Sequence, residues 1–195
     1  MSLRVTMGIL MCISLVSCIP VSLHPVYTKE TLFFDARLCG VWCNEKDEET
    51  VMVIRKGAED SYVIVQVDSQ GNSVTFKAHL AKRDDTIFLD MQSHDDGTKK
   101  DGIAVPVHIF VIVEEIRPKF RTRSLNDNWL EKYLKKKPDE LKHEIVDGNV
   151  IITASSVALQ KFLIKHKDTE GAFNGEHVMA PMKRASNKPD APDKK

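Results

Sequence analysis

Val74-Thr75-Phe76-Lys77-Ala78-His79-Leu80-Ala81 decides the fold class of this chain. Val74, Phe76, Ala78 and Leu80 alternate with Thr75, Lys77 and His79, the period-two signature of a half-buried strand. On its N-terminal side, Asp68-Ser69-Gln70-Gly71-Asn72 is a hairpin connection to Tyr62-Val63-Ile64-Val65-Gln66-Val67, and Val51-Met52-Val53-Ile54 lies before that. These β-branched runs are bounded by turn formers. On the other side, the charged turn Lys82-Arg83-Asp84-Asp85 leads to Thr86-Ile87-Phe88-Leu89-Asp90-Met91. The spacing predicts strands near 40–46, 51–56, 62–68, 73–81, 86–91, 104–114, 117–124 and 149–154.

The 104–114 strand is apolar on both faces, because Val105, Val107, Ile109, Val111 and Val113 alternate with Phe110 and Ile112. A strand with one wet face alternates with polar residues, so this one needs cover on its second side. Helical segments are the candidates. Asn126-Asp127-Asn128 offers cap oxygens before Trp129–Leu134, where Trp129/Tyr133 and Leu130/Leu134 are i,i+4 pairs. Pro138-Asp139-Glu140-Leu141 restarts a helical turn over 138–143. Ser155 or Ser156 caps Val157–Lys167, whose Leu159, Phe162, Leu163 and His166 line one face. Val146-Asp147-Gly148-Asn149-Val150 predicts a type I′ hairpin.

The expected fold class is therefore α+β and β-rich. It is an antiparallel meander of about eight strands, barrel-like or strongly curved, with two or three helices near its C-terminal end. Eight strands can close around side chains or one small ligand.

The first eighteen residues carry an address. Arg4 precedes an uncharged, largely apolar run from Val5 to Val16, and Leu15-Val16-Ser17-Cys18 follows the pattern of a lipobox. The run is shorter than the roughly 20 residues of a spanning helix and suits a signal h-region of roughly 7–15. Pro20 and Pro25 oppose a continuing helix. The segment resembles the signal peptide of bacterial lipoproteins. That resemblance implies cleavage before Cys18, acylation of Cys18, and a partner in the membrane through that lipid. Each buried methylene contributes about 0.8 kcal/mol, so two or three chains hold firmly. Ile19 after the cysteine, where enteric-type bacteria use Asp for inner-membrane retention, implies the outer membrane where one exists. The expected organisation is a signal at 1–17, a lipidated tether at 18–31, one β-rich domain at 32–182 and a disordered tail at 183–195.

Removal of residues 1–17 leaves 178 of the 195 residues, enough for one sizeable core. Only Arg4 is lost from 28 basic side chains, giving 27 against 28 acidic ones. A net charge near −1 gives no reason to expect nucleic acid as partner. Aromatic residues are 7% of the chain, too few for a broad stacking platform. With Cys12 removed and Cys18 acylated, Cys39 and Cys43 remain. In one extended strand their α-carbons are about 13 Å apart, beyond the roughly 7 Å of a disulfide. Two reduced cysteines are expected, with a local bridge the alternative if the chain turns at Leu38-Cys39-Gly40.

Gly40-Val41-Trp42 opens the meander and resembles the Gly-x-Trp with which lipocalins begin their first strand. The resemblance implies that Trp42 closes the base of an eight-stranded barrel; on residue type alone, it is a core tryptophan. For chemistry the sequence offers little. His79, His94 and His108 lack metal-ligand spacing. His166 lies on an apolar helix face. Asp95-Asp96-Gly97 and Glu114-Glu115 look like solvated charges, as do Lys99-Lys100 and Lys135-Lys136-Lys137. No nucleophile elbow or phosphate loop is present, and no catalytic residue, metal or cofactor is expected. The expectation is an envelope lipoprotein with a non-catalytic binding role, for a small apolar ligand or a protein partner. The alternatives are a structural lipoprotein docking envelope partners and a hydrolase with a dispersed site.

Overall fold

The computed structural model describes residues 20–45, 50–93 and 106–182. The expected signal and Cys18 lie outside the described residues. So do Val105, His94, Asp95-Asp96-Gly97, Lys99-Lys100 and the stretch 183–195.

The strands are β1 (Val21–Ser22), β2 (Leu32–Phe33), β3 (Gly40–Asn44), β4 (Val51–Lys56), β5 (Tyr62–Val67) and β6 (Ser73–Arg83). They continue with β7 (Thr86–Ser93), β8 (His108–Glu115), β9 (Phe120–Arg123), β10 (His143–Val146), β11 (Asn149–Ile152) and β12 (His177–Pro181). The helices are α1 (Asp127–Lys136) and α2 (Ser156–His166).

Strands β3 to β9 pair consecutively and antiparallel. β12 then pairs with both β9 and β3, closing an eight-stranded antiparallel barrel. The expected barrel-like meander is the observed fold, with one exchange of strands. The 149–154 segment is β11, outside the barrel, and β12 takes the eighth place. β8 forks the sheet: Ile112–Glu115 pair with β9, whereas His108 and Ile109 pair with β1. β1 runs parallel to β11, which pairs with β10 as an outer wing.

Two cores follow from this arrangement. Inside the barrel, Trp42, Ile54, Tyr62, Ile64, Leu80, Leu89, Phe120 and Met179 pack together with Leu38. Outside, α1 and α2 supply the second-face cover that the 104–114 segment requires. Phe110 and Ile112 of β8 share a core with Phe88 of β7, Leu130 and Leu134 of α1, and Leu159, Phe162 and Leu163 of α2. Asn126 Oδ1 accepts from Trp129 N–H at 3.2 Å, and Ser155 Oγ accepts from Ala158 N–H at 3.4 Å, so both helix starts match their sequence caps.

Three expectations are corrected. Residues 20–31 are part of the fold and not a free tether. β1 is hydrogen-bonded on both edges, Val26 and Ser22 are fully buried, and Leu32–Phe33 pairs with β6. Its prolines forbid a helix but leave short extended pairing open. The expected 138–143 helix is only a 3₁₀ turn, Pro138–Glu140, after which buried Leu141 leads directly into β10. The strand expected at 117–124 spans only Phe120–Arg123, because Ile116–Lys119 form the turn out of β8. Cys39 and Cys43 are free thiols. The β10–β11 turn is the expected type I′, with Asp147 and Gly148 at φ of 49° and 80°.

His166 sits among rings, 4.7 Å from Phe162, 4.8 Å from Tyr133 and 5.2 Å from Trp129 between centroids. Its Nδ1 lies 3.3 Å from Thr169 Oγ1, and its buried Nε2 has no hydrogen-bond partner among the described residues. Burial holds its pKa below the ordinary histidine value, helped by Lys165 and Lys137 and opposed by Glu140. The folded state therefore favours the neutral ring. Its contribution is fully present above the unfolded pKa of about 6.5 and is lost as the pH falls through the lower folded value. The urea midpoint should drop on acidification from pH 7 to 5, and His166→Phe should flatten part of that drop. Identical slopes in the two proteins would remove His166 from the account.

Candidate functional site

The closed end of the barrel is built around Trp42. Gly40 begins β3 at φ +154°, a conformation that favours glycine, and a Cβ there would press on the Arg117 guanidinium at 3.2 Å. Two residues on, the Trp42 ring enters the barrel and its Nε1 donates to Leu38 O at 2.9 Å. Arg117 stacks over the indole at 4.4 Å and donates through Nε to Arg37 O at 3.0 Å. The 3₁₀ turn Ala36–Leu38 is thereby pinned across this end, and Tyr62 Oη accepts from Asp35 N–H at 2.7 Å. Burial raises the Tyr62 pKa to about 12, so it stays a neutral phenol. Trp42, Tyr62, Ile64, Ala78 and Leu80 have no accessible surface, which leaves no water-sized void beside them. This half of the interior is solid.

The opposite end differs. By strand register, Met52, Phe76, Met91, Ile109 and Val111 share the inner face with Trp42, and all are only half-buried. Val74, at the start of β6, is 50% exposed. The inner face at this end is thus less buried than around Trp42, and it includes the exposed Gln66, register partner of Met52.

A polar cluster lies outside the barrel, beneath residues 20–31. Asp90 of β7 is buried, and its Oδ1 lies 2.7 Å from His108 Nδ1 of β8. Its Oδ2 accepts from Val26 N–H at 2.8 Å. Tyr27 packs on His79 at 4.5 Å between ring centroids. Burial, then the Asp90 charge, raises the Tyr27 pKa; burial, Lys77 and His108 lower that of His79 against the pull of Asp90. Ser22 pairs with His108 across the sheet but is fully buried, and His108 Nε2 lies 3.4 Å from Gln92 Nε2. The group has the residue types of a nucleophile array without an accessible nucleophile. What it does is clamp the N-terminal segment onto the barrel. Gln160 Nε2 of α2 adds a bond to Val26 O at 2.7 Å, while its Oε1 accepts from Arg83 Nη1 at 3.0 Å.

The remaining sequence candidates are ion-paired or solvated. Glu114 pairs with Arg123 and Glu115 with Arg121. Lys135 pairs with Glu131 along α1, and Lys137 lies over the Tyr133 ring. A surface groove of about 490 Å³ at Lys136–Glu140 is lined by exposed side chains, with Glu140 already bonded to Lys165. Among the described residues no three potential metal ligands converge, and no helix is long and apolar enough to cross a membrane.

The remaining feature is the outer face of β12-β3-β4-β5. Because Trp42, Met52, Ile54 and Ile64 face inward, their neighbours face out. Register places Ala180, Cys43, Val51 and Val67 in one row across four strands. Val41, Val53, Val65 and Thr75 form the next row. None of these valines belongs to either core, and Val41 is 40% exposed. The exposed cations Arg55 and Lys77 flank Val63 at one end, neither of them in an ion pair among the described residues. Among the described residues no helix packs on this apolar sheet face, where Cys43 is buried and Val51, Val53, Val65 and Val67 are half-buried. Its signal was present in Val51-Met52-Val53-Ile54 and Tyr62-Val63-Ile64-Val65, which are apolar at consecutive positions as the 104–114 strand is.

Comparison with protein-family models, curated proteins and solved structures finds no match.

Proposed function

We propose that this chain is a lipid-anchored envelope protein, held through Cys18 and in the outer membrane where one exists. Its role is non-catalytic binding of a protein partner on the valine wall. The observation that carries the reading is the wall itself: two rows of Val, Ala, Cys and Thr across adjacent strands, rimmed by Arg55 and Lys77. A sheet face left to water carries polar residues at such positions, and large apolar patches mark interaction surfaces. The filled lower barrel supports the same reading, since it removes the volume that a ligand along the barrel axis would occupy.

In-cell photo-crosslinking tests it. A crosslinker at Val53 or Val65 should give a discrete adduct of higher mass, whereas one at Val157, an exposed valine of α2, should not. Adducts at all three positions alike, or at none, would remove the wall as the partner surface.

A second reading rests on the half-buried Met52, Phe76, Met91, Ile109 and Val111 at the mouth. There a small apolar ligand would sit on the filled floor. Loss of the crosslinks together with a small molecule that co-purifies with the protein would favour it.

A further inference from the structure

The described chain enters the sheet almost at once. Pro20 is buried, and Val21 pairs with Ile109 of β8 and Ile151 of β11. Only Ile19 and Pro20 lie between Cys18 and Val21, so across three peptide bonds their α-carbons are at most about 11 Å apart. β1 and β11 run parallel. The direction from Val21 back to Pro20 is therefore also the direction from Ile151 back to the Asp147-Gly148 turn. That turn lies three to four residues before Ile151, roughly 10–13 Å along the strand.

The turn ends in apolar side chains. Ile145 and Val146 of β10 are 54% and 49% exposed, and β10 is the outer edge of the wing. Lys142, Glu144 and Asp147 are the exposed charged groups beside them. Two aliphatic side chains beside a two-residue turn protrude at the end of the wing that lies in the direction from Val21 back to Pro20.

We infer that Ile145 and Val146 rest in the lipid surface to which Cys18 is anchored, making the β10–β11 turn a second membrane contact. This rests on the acylation of Cys18 proposed above. The short chain between Cys18 and the sheet limits the separation: an anchored cysteine holds Val21 within about 11 Å of it, the wing begins one strand spacing of about 5 Å beyond β1, and the end of the wing on the Pro20 side is the apolar one. Glu144 and Asp147 limit the depth to the boundary between headgroups and acyl chains, the level at which amphipathic surface elements sit. The contact would also fix orientation. In an eight-stranded barrel β4 stands opposite β8, so the valine wall is turned away from the wing.

The test uses the full lipidated protein in vesicles of phosphatidylethanolamine and phosphatidylglycerol containing acyl-brominated phosphatidylcholine. Val146→Trp is compared with Val74→Trp at the barrel mouth, with wild type supplying the common background of Trp42 and Trp129. The added emission of Val146→Trp should be quenched by the brominated lipid and shifted to shorter wavelength, and that of Val74→Trp should not. Equal quenching at the two positions, or none at 146, overturns the turn contact while palmitate on Cys18 leaves the anchor standing. If labelled palmitate is absent from wild type or persists in Cys18→Ser, the anchor reading fails and the turn contact falls with it.

Discussion

Phe162→Ala lowers the unfolding free energy by about 3–5 kcal/mol, the usual cost of truncating a buried aromatic side chain. Phe162 is buried in the outer core with Phe110 and Ile112 of β8 and Leu130 and Leu134 of α1. Its ring is 5.9 Å from Tyr133 and 6.3 Å from Trp129 between centroids, so the alanine leaves a cavity on which several elements border. Lys161, one position earlier, is exposed, and Lys161→Ala should stay within about 0.5 kcal/mol of wild type. Urea midpoints of the two variants measure the difference. Equal midpoints would mean that α2 is loosely attached and that the outer face of β8 is open to a partner.

Asp90→Ala should be the next most damaging change. It removes the acceptor of both Val26 N–H and His108 Nδ1 in a buried setting. Each donor left without a partner costs about 1–3 kcal/mol. Asp90→Asn keeps one carbonyl acceptor and should lose less. The loss should be local first: Val26 N–H, now protected by the carboxylate, should exchange with solvent faster in Asp90→Ala than amides of the β4–β5 ladder do. An unchanged Val26 exchange rate would mean that residues 20–31 are held by their strand pairing and Gln160 alone.

The parts of the fold legible in the sequence were those set by local pattern. Alternation in Val74–Ala81, the Asp147-Gly148 pair and the Asn126 and Ser155 caps each report on neighbours a few residues away, and each element stands where its pattern placed it. The parts that were not legible depend on distant pairing. β12 has only Val178, Met179 and Ala180 as an apolar run, between Gly175 and Pro181. It is a strand because Phe120–Thr122 and Trp42–Asn44 offer open edges on either side. Likewise nothing in Ile19–Thr31 announces that Val26 N–H will meet a carboxylate 64 residues away. Of the site, Gly40 and Trp42 could be picked out, whereas Arg117 could not: an arginine before a proline in a turn gives no hint of an indole beneath it. The consecutive apolar positions of Val51–Ile54 and Tyr62–Val65 signal the valine wall as those of the 104–114 strand signal its covered face. Which of two apolar faces points inward, however, is decided by barrel closure, a property of the whole sheet.

That closure falls to β12, the last strand among the described residues. β3 and β9 remain free edges until His177–Pro181 has emerged, because β12 is the piece that satisfies both. A chain that emerges from its N-terminus can assemble the meander early, yet it stays an open, curled ribbon until β12 is added. Such a ribbon presents two unpaired rows of backbone groups, the feature that invites strand addition from other chains. The pairing that ends this exposure spans more than 130 residues between Trp42 and Pro181 and is slow to find. The exposure of those two edges therefore belongs to folding and ends when β12 docks between them.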